Sequence, residues 1–153
     1  IRDFCLSRGL GDVYKRQHMN SAGRLFGGQL LMWIDEVAGI VARRHCEGNL
    51  TTACIDNLQF KEPCYENDVI VIIGYVTHVG RSSMEIRIDT YVERPDGSRH
   101  PVNRAFFVMV ALDANNKPVE VPRLKIQTID EQAKWDAAEK RIELRKQRRD
   151  EGF

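Results

Sequence analysis

Residues 23–45 read GRLFGGQLLMWIDEVAGIVARRH, a glycine-rich turn that leads directly into the most apolar helical pattern of the chain. Within it, Leu30, Ile34, Val37 and Val41 recur at helical spacing, which predicts a long helix with an apolar stripe in the core. Because the first two turns are apolar almost all round, we expect the helix to be buried and the rest of the chain to be built around it.

Two acids, Asp35 and Glu36, interrupt this apolar run. An unpaired carboxylate is costly to bury, so an acid held inside the domain would need a specific role. Alternatively, both acids lie on whichever edge of the helix reaches solvent. Gly27 and Gly28 at the helix start leave room for a ligand to approach N–H groups that have no partner within the helix. The stretch therefore offers an anion-binding helix end with an acid about two turns further along.

The composition is that of an ordinary globular protein. The 153 residues are 42% hydrophobic and 29% charged, with a formal net charge of +1. This is enough chain for one domain, and the net charge gives no argument for binding nucleic acid or an anionic membrane. No apolar run approaches the length of a membrane span. The cysteines and histidines lack metal-ligand spacing, so we expect no metal, reduced thiols and a cytoplasmic location.

The two ends of the chain differ from its middle. Residues 1–17 lack sustained periodicity and contain SRGLGDVYKRQ, which resembles a translated sequencing-adapter remnant, so we predict a non-native leader. Residues 126–153 return to a helical pattern crowded with charge. The basic end of this tail is either a phosphate or nucleic-acid contact or, more simply, a solvated and frayed terminal helix.

The middle segment, residues 18–125, predicts an α+β domain with one antiparallel sheet wrapped around the central helix. Short turns join its strand-like runs, as is typical of an antiparallel meander. One helix would leave the opposite face of the sheet partly open, so we expect a homo-oligomer to cover it. The predicted strands are 51–60, 68–79, 82–93 and 102–113.

The residues most suited to chemistry are Asn20, Gly27, Gly28 and Asp35. The sequence lacks the motifs of serine hydrolases, phosphate-binding loops and zinc proteases. A carbonyl oxygen at the Gly28 N–H would be polarised by the helix end, as an oxyanion hole requires. Asp35 could serve as a general base or as a carboxylate nucleophile, and the Asn20 amide could orient a water or a carbonyl.

The segments NSAGRLFGG at 20–28 and WID at 33–35 resemble the hotdog-fold acyl-CoA thioesterases, most closely the brain-type and bacterial acyl-CoA hydrolases. The resemblance covers roughly residues 18–124. It implies a curved antiparallel sheet around one long helix, and hydrolysis of acyl-CoA to a carboxylic acid and CoA. It continues through DNLQFKEP (56–63), ND (67–68), GRSSM (80–84), ALD (111–113) and VP (121–122).

The resemblance also implies roles for the candidate residues. Asp35 matches the catalytic acid of the family and Asn20 its partner amide, while Gly28, with Gly27, matches the oxyanion-binding helix start. Family sites lie at a dimer interface, so Asn20 and Asp35 of one site are expected to come from different subunits. Dimers of the family often assemble into hexamers, so we expect acyl-CoA as substrate, a homodimer or hexamer as the assembly, and no cofactor beyond the CoA of the substrate.

Arg81, Ser82 and Ser83 match the turn that the family associates with CoA binding, and a cation with two hydroxyls suits CoA phosphates. Relatives carry a first strand where this chain has residues 1–17, so we expect the sheet to lose an edge there. Two other functions remain open: a non-hydrolytic acyl-CoA sensor, and a hotdog dehydratase that would pair a histidine such as His18 with an acid.

Overall fold

One antiparallel sheet organises the computed structural model, which describes residues 7–8, 12–13 and 18–153. The strand order is β1-β4-β5-β6-β3, with β2 also paired to β4, and the predicted α+β class is confirmed. The elements in chain order are β1 (Ser7–Arg8), β2 (Asp12–Val13), α1 (Gly27–His45), β3 (Asn49–Asp56), β4 (Val69–Val79), β5 (Ser83–Glu93), β6 (Arg99–Leu112) and α2 (Ile129–Asp150).

Two strand boundaries differ from the predicted ones by three residues or more, the end of β3 and the start of β6. Strand β3 ends at Asp56 rather than at residue 60, because the next residue, Asn57, has a φ of 58° and turns the chain out of the sheet. Strand β6 begins at Arg99, where it pairs with Glu93 across a turn in which Gly97 adopts a φ of 83°. Turn chemistry therefore sets both boundaries.

Helix α1 lies against the inner face of the sheet, where Ile34, Val41 and Phe107 are fully buried. The helix and the sheet approach most closely at Gly74 of β4. A Cβ at that position would lie 2.6 Å from Ile88 Cδ1 and 2.9 Å from Val41 Cγ2, so the backbone of β4 itself forms part of the helix contact. The apolar stripe predicted from the sequence is confirmed as the core of the domain.

The prediction that α1 is buried all round was wrong for the single chain. Phe26 is 59% exposed and Met32 is 49% exposed, and both Asp35 and Glu36 face solvent. The apolar residues of the first two turns divide between a stripe on the sheet and an outward surface. That outward surface carries the two acids, so the solvent-edge alternative describes them in one chain.

Helix α2 packs on the outer face of the sheet. Thr128 caps it in a reciprocal arrangement with Glu131, so its start is fixed rather than frayed. Two of its arginines, Arg141 and Arg145, each donate to the buried Glu85 carboxylate of β5 at 2.7 Å. The basic end of the tail is thus used within the chain. Neither of the two alternatives drawn from the sequence describes it, and α2 covers part of the sheet face that was expected to be open.

The leader contributes backbone pairing to the edge of the sheet. Strand β1 places Ser7 opposite Gly74, and β2 places Asp12 opposite Ile70. The expected loss of an edge beside β4 is therefore not seen at these two pairings. That residues 1–17 are non-native stays a prediction, and residues 1–6, 9–11 and 14–17 lie outside the described part of the chain.

Candidate active site

The N-terminus of α1 is an open helix end. Phe26 occupies the N-cap position without a side-chain cap, and the first turn contains no acidic residue. The first hydrogen bonds of the helix run from Gln29 and Leu30 N–H to the Phe26 carbonyl, at 3.0 and 3.2 Å. The Gly27 and Gly28 N–H groups precede these bonds, and the positive end of the helix dipole lies there. A partly negative oxygen would be stabilised at this end.

Two aromatic rings pack against the helix start. The Phe60 ring lies 3.5 Å from where a Gly27 Cβ would be, and the Phe26 ring lies only 2.5 Å from where a Gly28 Cβ would be. A side chain at Gly28 would therefore require the exposed Phe26 ring to move. From the sequence we explained these two glycines by the room they leave for a ligand. The structure adds a second reason at Gly28, which is that the Phe26 ring packs over it.

Asn20 lies in the tight loop before α1. Its side-chain oxygen accepts hydrogen bonds from the Ala22 and Arg24 N–H groups at 2.9 and 3.1 Å. Within residues 18–153 the side-chain NH₂ of Asn20 has no acceptor, so it is free to donate to a bound group. Asn20 and Gly27 line a surface pocket of about 360 Å³. The structure therefore brings the predicted amide and the helix start to one depression.

Asp35 lies in a different depression, a groove of about 640 Å³ between α1 and β3. Thr52 of β3 donates a hydrogen bond from Oγ1 to Asp35 Oδ1 at 2.9 Å. Sequence reasoning missed Thr52, because nothing in the pattern TTACID indicated which strand residue would face the acid. The only available indication of this pairing was that Thr52 is a threonine on an edge strand that runs back along the helix.

Asn20 and Asp35 are not brought together within one chain. The pocket with Asn20 and the groove with Asp35 share no lining residue. Asp35 is also about two turns along α1 from Gly28, roughly 10 Å of helix rise. Each chain therefore presents two separate parts of the predicted site on its surface.

The turn with Arg81, Ser82 and Ser83 lies near the C-terminal end of α1. His45, in the last turn of the helix, is bonded to the Pro122 carbonyl at 2.7 Å, and the adjacent Val121 N–H donates to the Arg81 carbonyl at 2.9 Å. With 19 residues, α1 is about 28 Å long. In one chain the predicted CoA turn is thus far from Asn20 and Gly28.

Three large aromatic residues that could line a tunnel for the acyl chain, Trp33, Phe60 and Phe106, are dispersed over the domain. Phe60 stands beside Gly27 in the Asn20 pocket, and Trp33 makes an edge contact with His18, with ring centroids 5.4 Å apart. Phe106 is wrongly placed for such a role, since it lies on the outer face beneath the Arg141 guanidinium, 3.8 Å from the ring centroid.

No group of three or more histidine, cysteine or carboxylate side chains that could hold a metal ion occurs among the described residues. Likewise, no described helix is long and apolar enough to span a membrane.

Comparison with known proteins identifies the family. Residues 22–97 match the model of the thioesterase superfamily. The chain is 39% identical over 131 residues to the uncharacterized acyl-CoA thioester hydrolase YkhA of Bacillus subtilis, an alignment that covers 85% of this chain and 76% of that protein. The chain belongs to the thioesterase superfamily. The predicted resemblance and the predicted enzyme class are both confirmed.

Other members of the superfamily extend the match. The chain is 37% identical to the cytosolic acyl coenzyme A thioester hydrolase of Rattus norvegicus, over 74% of this chain but 31% of the rat protein. An apo-hexameric acyl-CoA thioesterase of known structure superposes with a TM-score of 0.87 and 32% identity, over 97% of both chains.

The acyl-CoA hydrolase of Staphylococcus aureus, solved with butyryl-CoA and CoA, superposes with a TM-score of 0.84 and 28% identity over 98% of this chain and 93% of that one. Structures are also known of three of its alanine variants, at an asparagine, an aspartate and a threonine. These three positions have the same spacing along that hydrolase as Asn20, Asp35 and Thr52 have here.

Proposed function

We propose that this thioesterase hydrolyses acyl-CoA to a carboxylic acid and free CoA, at sites formed between two copies of the chain. The observation that carries the proposal is the Asp35–Thr52 hydrogen bond in an exposed groove between α1 and β3. The open helix end with Asn20 supplies the complementary half, because each chain presents both halves but does not join them.

The helix end binds the thioester oxygen. Nucleophilic attack on the carbonyl carbon places negative charge on that oxygen, and the N–H groups at Gly27 and Gly28 already point outward with no capping side chain. Fixed donors of this kind stabilise the developing charge, and removing one typically lowers the rate by about 10²–10³-fold. The free NH₂ of Asn20, in the same pocket, is the second donor to the carbonyl or to the attacking water.

Asp35 supplies the nucleophilic oxygen, either directly or through water. As a general base it accepts a proton from a water that attacks the carbonyl carbon. As a nucleophile its carboxylate forms an anhydride that water then opens. In both routes the C–S bond breaks and CoA leaves as a thiolate that takes up a proton. In the general-base route the acid receives its new oxygen from water. In the nucleophile route water opens the anhydride at the Asp35 carboxyl carbon, so the acid leaves with an oxygen of Asp35 and the water oxygen stays in Asp35. The reaction requires no cofactor.

Thr52 positions Asp35. Its hydroxyl donates to one carboxylate oxygen and so fixes the rotamer of Asp35, which leaves the other oxygen for water or for the thioester. The matching spacing of the three varied residues in the S. aureus hydrolase supports a common role for Asn20, Asp35 and Thr52.

Oligomerisation completes the site. Solved relatives include hexameric acyl-CoA thioesterases, and we propose that this chain forms a dimer or a trimer of dimers in which Asn20 of one copy faces Asp35 of its partner. Arg81, Ser82 and Ser83 would then bind CoA phosphates. The name of the rat relative agrees with a cytoplasmic location.

Thiol release from a panel of acyl-CoAs tests the chemistry. Asp35→Ala and Asp35→Asn are expected to lower kcat by more than about 10²-fold while acyl-CoA binding persists, and Thr52→Val by less. A single turnover in H₂¹⁸O separates the two routes. The general-base route labels the released acid, whereas the nucleophile route, with water opening the anhydride at the Asp35 carboxyl carbon, labels Asp35 and leaves the acid unlabelled. If the folded wild-type chain binds acyl-CoA and releases no thiol, the hydrolase proposal fails and a non-hydrolytic acyl-CoA-binding module replaces it.

Subunit complementation tests where the two halves meet. Asn20→Ala and Asp35→Ala chains are each expected to be inactive alone. Unfolded together and refolded as a mixture, they should recover roughly a quarter of the wild-type rate, because half of random dimers are mixed and each mixed dimer has one intact site. If the mixture stays inactive while mixed oligomers form, each site lies within one chain.

A further inference from the structure

Strand β3 contains a β-bulge in its middle. Thr52 is paired with Met109 of β6 and Cys54 with Val108, the next residue back, so Ala53 is an extra residue in the strand. In a regular strand the side chains alternate between the two faces of the sheet, and residues four apart therefore share a face. One extra residue reverses this relation, because it moves every later side chain to the other face.

The bulge allows two polar residues of β3 to make contacts on opposite faces. Thr52, before the bulge, faces α1 and donates to Asp35 Oδ1 at 2.9 Å. Asp56, after the bulge, is paired with Phe106 and faces α2, where Arg148 donates to both of its carboxylate oxygens at 2.9 and 3.1 Å. Without the bulge, Thr52 and Asp56 would share one face, and one of these two contacts would be lost.

The ion pairs of Asp56 connect the end of β3 to the centre of the sheet. Strand β3 lies at the edge and, among the residues that the structure describes, pairs with β6 alone. Arg145 of α2 reaches Asp56 Oδ2 at 3.4 Å and Glu85 Oε2 of β5 at 2.7 Å. The Asp56 and Arg145 side chains are each only 13% exposed, so solvent screens their attraction only partly. Helix α2 thus holds β3 in place just beyond the bulge.

We infer that Asp56 is a positioning residue for the hydrolysis, which acts through the bulge and Thr52 on the orientation of Asp35. This rests on the proposed role of Asp35 and adds α2 to the elements that shape the site. The ion pairs of Asp56 hold β3 in its bulged register, and that register aims the Thr52 hydroxyl at the Asp35 carboxylate. Bulges next to active sites commonly re-aim a side chain in this way. When the ion pairs are lost, β3 relaxes around Ala53 and fewer molecules hold the acid in its reactive orientation.

A double-mutant cycle on thiol release tests this inference. Asp56→Asn should lower kcat roughly five-fold and leave KM for acyl-CoA unchanged, because it disturbs the orientation of the acid and no contact with the substrate. In a Thr52→Val background, the same change should lower kcat by less than about two-fold, since the hydrogen bond through which Asp56 acts is already absent. Arg141→Gln is the matched control. It breaks an ion pair between α2 and Glu85 without touching Asp56, so kcat should stay as in the wild type.

Amide hydrogen exchange adds a measurement that does not depend on activity. Asp56→Asn should speed exchange in β3 around the bulge, whereas Arg141→Gln should speed it in α2 alone. The inference is overturned if the effects of Asp56→Asn and Thr52→Val on kcat simply multiply, or if Arg141→Gln lowers kcat as much as Asp56→Asn does. Failure of the hydrolase proposal looks different: the folded wild-type chain would bind acyl-CoA and release no thiol. Exchange in β3 would then decide by itself whether Asp56 fixes the bulge.

Discussion

The two helices lie on opposite faces of one sheet and are held there by different forces. Helix α1 buries seven residues, most of them aliphatic, against the inner face. Helix α2 is longer, with 22 residues, yet buries only Ala138. Its attachment depends on guanidinium groups that reach the Glu85 and Asp56 carboxylates of the sheet. One helix buries apolar surface, whereas the other contacts the sheet chiefly through ion pairs and through the ring contact of Trp135 with His78.

This difference separates what can be changed without unfolding the domain. Apolar burial is non-directional and scales with area, so the position of α1 on the sheet is set by close packing, as at Gly74 and Val41, rather than by directional contacts. Ion pairs of low exposure need good geometry to offset the cost of desolvating both charges, so α2 fits the sheet in one register. The inner helix therefore stabilises the fold, while the outer helix is specified by a few charged contacts.

The largest effect is expected from a matched pair of substitutions on β6. Phe107 points into the core and is fully buried, so Phe107→Ala should lower the free energy of unfolding by about 3–5 kcal/mol. Its neighbour Phe106 points outward beneath Arg141, and Phe106→Ala should cost clearly less, about 2 kcal/mol, because the arginine can close over the gap. Urea denaturation at one fixed protein concentration measures both. Equal losses would show that the outer face is packed as firmly as the inner one.

A smaller loss is expected from Glu85→Gln. Glu85 is 2% exposed, and the change removes the carboxylate that pairs with Arg141 and one of the two carboxylates that pair with Arg145, whose other partner is Asp56. We expect about 3 kcal/mol, the lower end for breaking a buried ion pair, because both arginines can turn partly to solvent. Amide exchange should show faster opening of α2 with little change in β4 and β5.

Glu93→Gln is the control for this prediction, since the Glu93–Arg99 pair is half exposed and should contribute at most about 0.5 kcal/mol. If the two glutamates give the same loss, the ion pairs do not hold α2, and its attachment must come from its apolar contacts.

The same contrast decides how much of the fold could be predicted from sequence. The sequence predicts α1 because its buried apolar residues, such as Leu30, Ile34 and Val41, recur at the spacing of one helix face. Nothing local shows that Glu85 and Arg141 meet, since they lie 56 residues apart along the chain. From the sequence alone, the charged tail was therefore expected to face solvent or to bind phosphate. Its actual partner is a carboxylate of the same chain.

The residues of the candidate site also fall into two groups, those that the sequence indicates and those that only the folded structure reveals. Asn20, Gly28 and Asp35 stand out from their segment because their residue types are unusual at a helix start and on an apolar helix. Thr52 does not stand out, since threonine is ordinary in a strand and its role depends on the pairing that brings β3 back along α1. The outward surface of α1 was likewise hidden, because the apolar residues that stay exposed there, such as Phe26 and Met32, cannot be told by residue type from those in the core.

Acidification should weaken the attachment of α2 to the outer face of the sheet, because it protonates Asp56. Burial alone would raise the pKa of the Asp56 carboxyl, but the hydrogen bonds and charges of Arg148 and Arg145 outweigh it and hold the pKa below 3.8. Since the folded pKa is the lower one, this stabilisation is complete above the unfolded value and is lost as pH falls through the folded value. Asp56→Asn should cost about 1 kcal/mol or less near neutral pH and nothing in strong acid, as measured by melting temperature against pH. An equal cost at every pH would mean that Asp56 acts by packing alone.

The smallest effect is expected at His78 of β4, which stacks on Trp135 of α2 with ring centroids 4.0 Å apart. Burial lowers the pKa of the His78 imidazole below 6.5, although Glu85 and Glu139 act in the opposite direction. The unfolded chain then takes up a proton more readily, so stability is complete above about pH 6.5 and falls as pH drops through the folded pKa. His78→Phe keeps the stacking and removes the titrating group, so the melting temperature should fall less between pH 7 and pH 5 than it does in the wild type. Because this window lies above that of Asp56, the two residues can be separated in one titration. If His78→Phe leaves the curve unchanged, the ring contact is tolerant of charge, and the pH response of α2 belongs to its ion pairs.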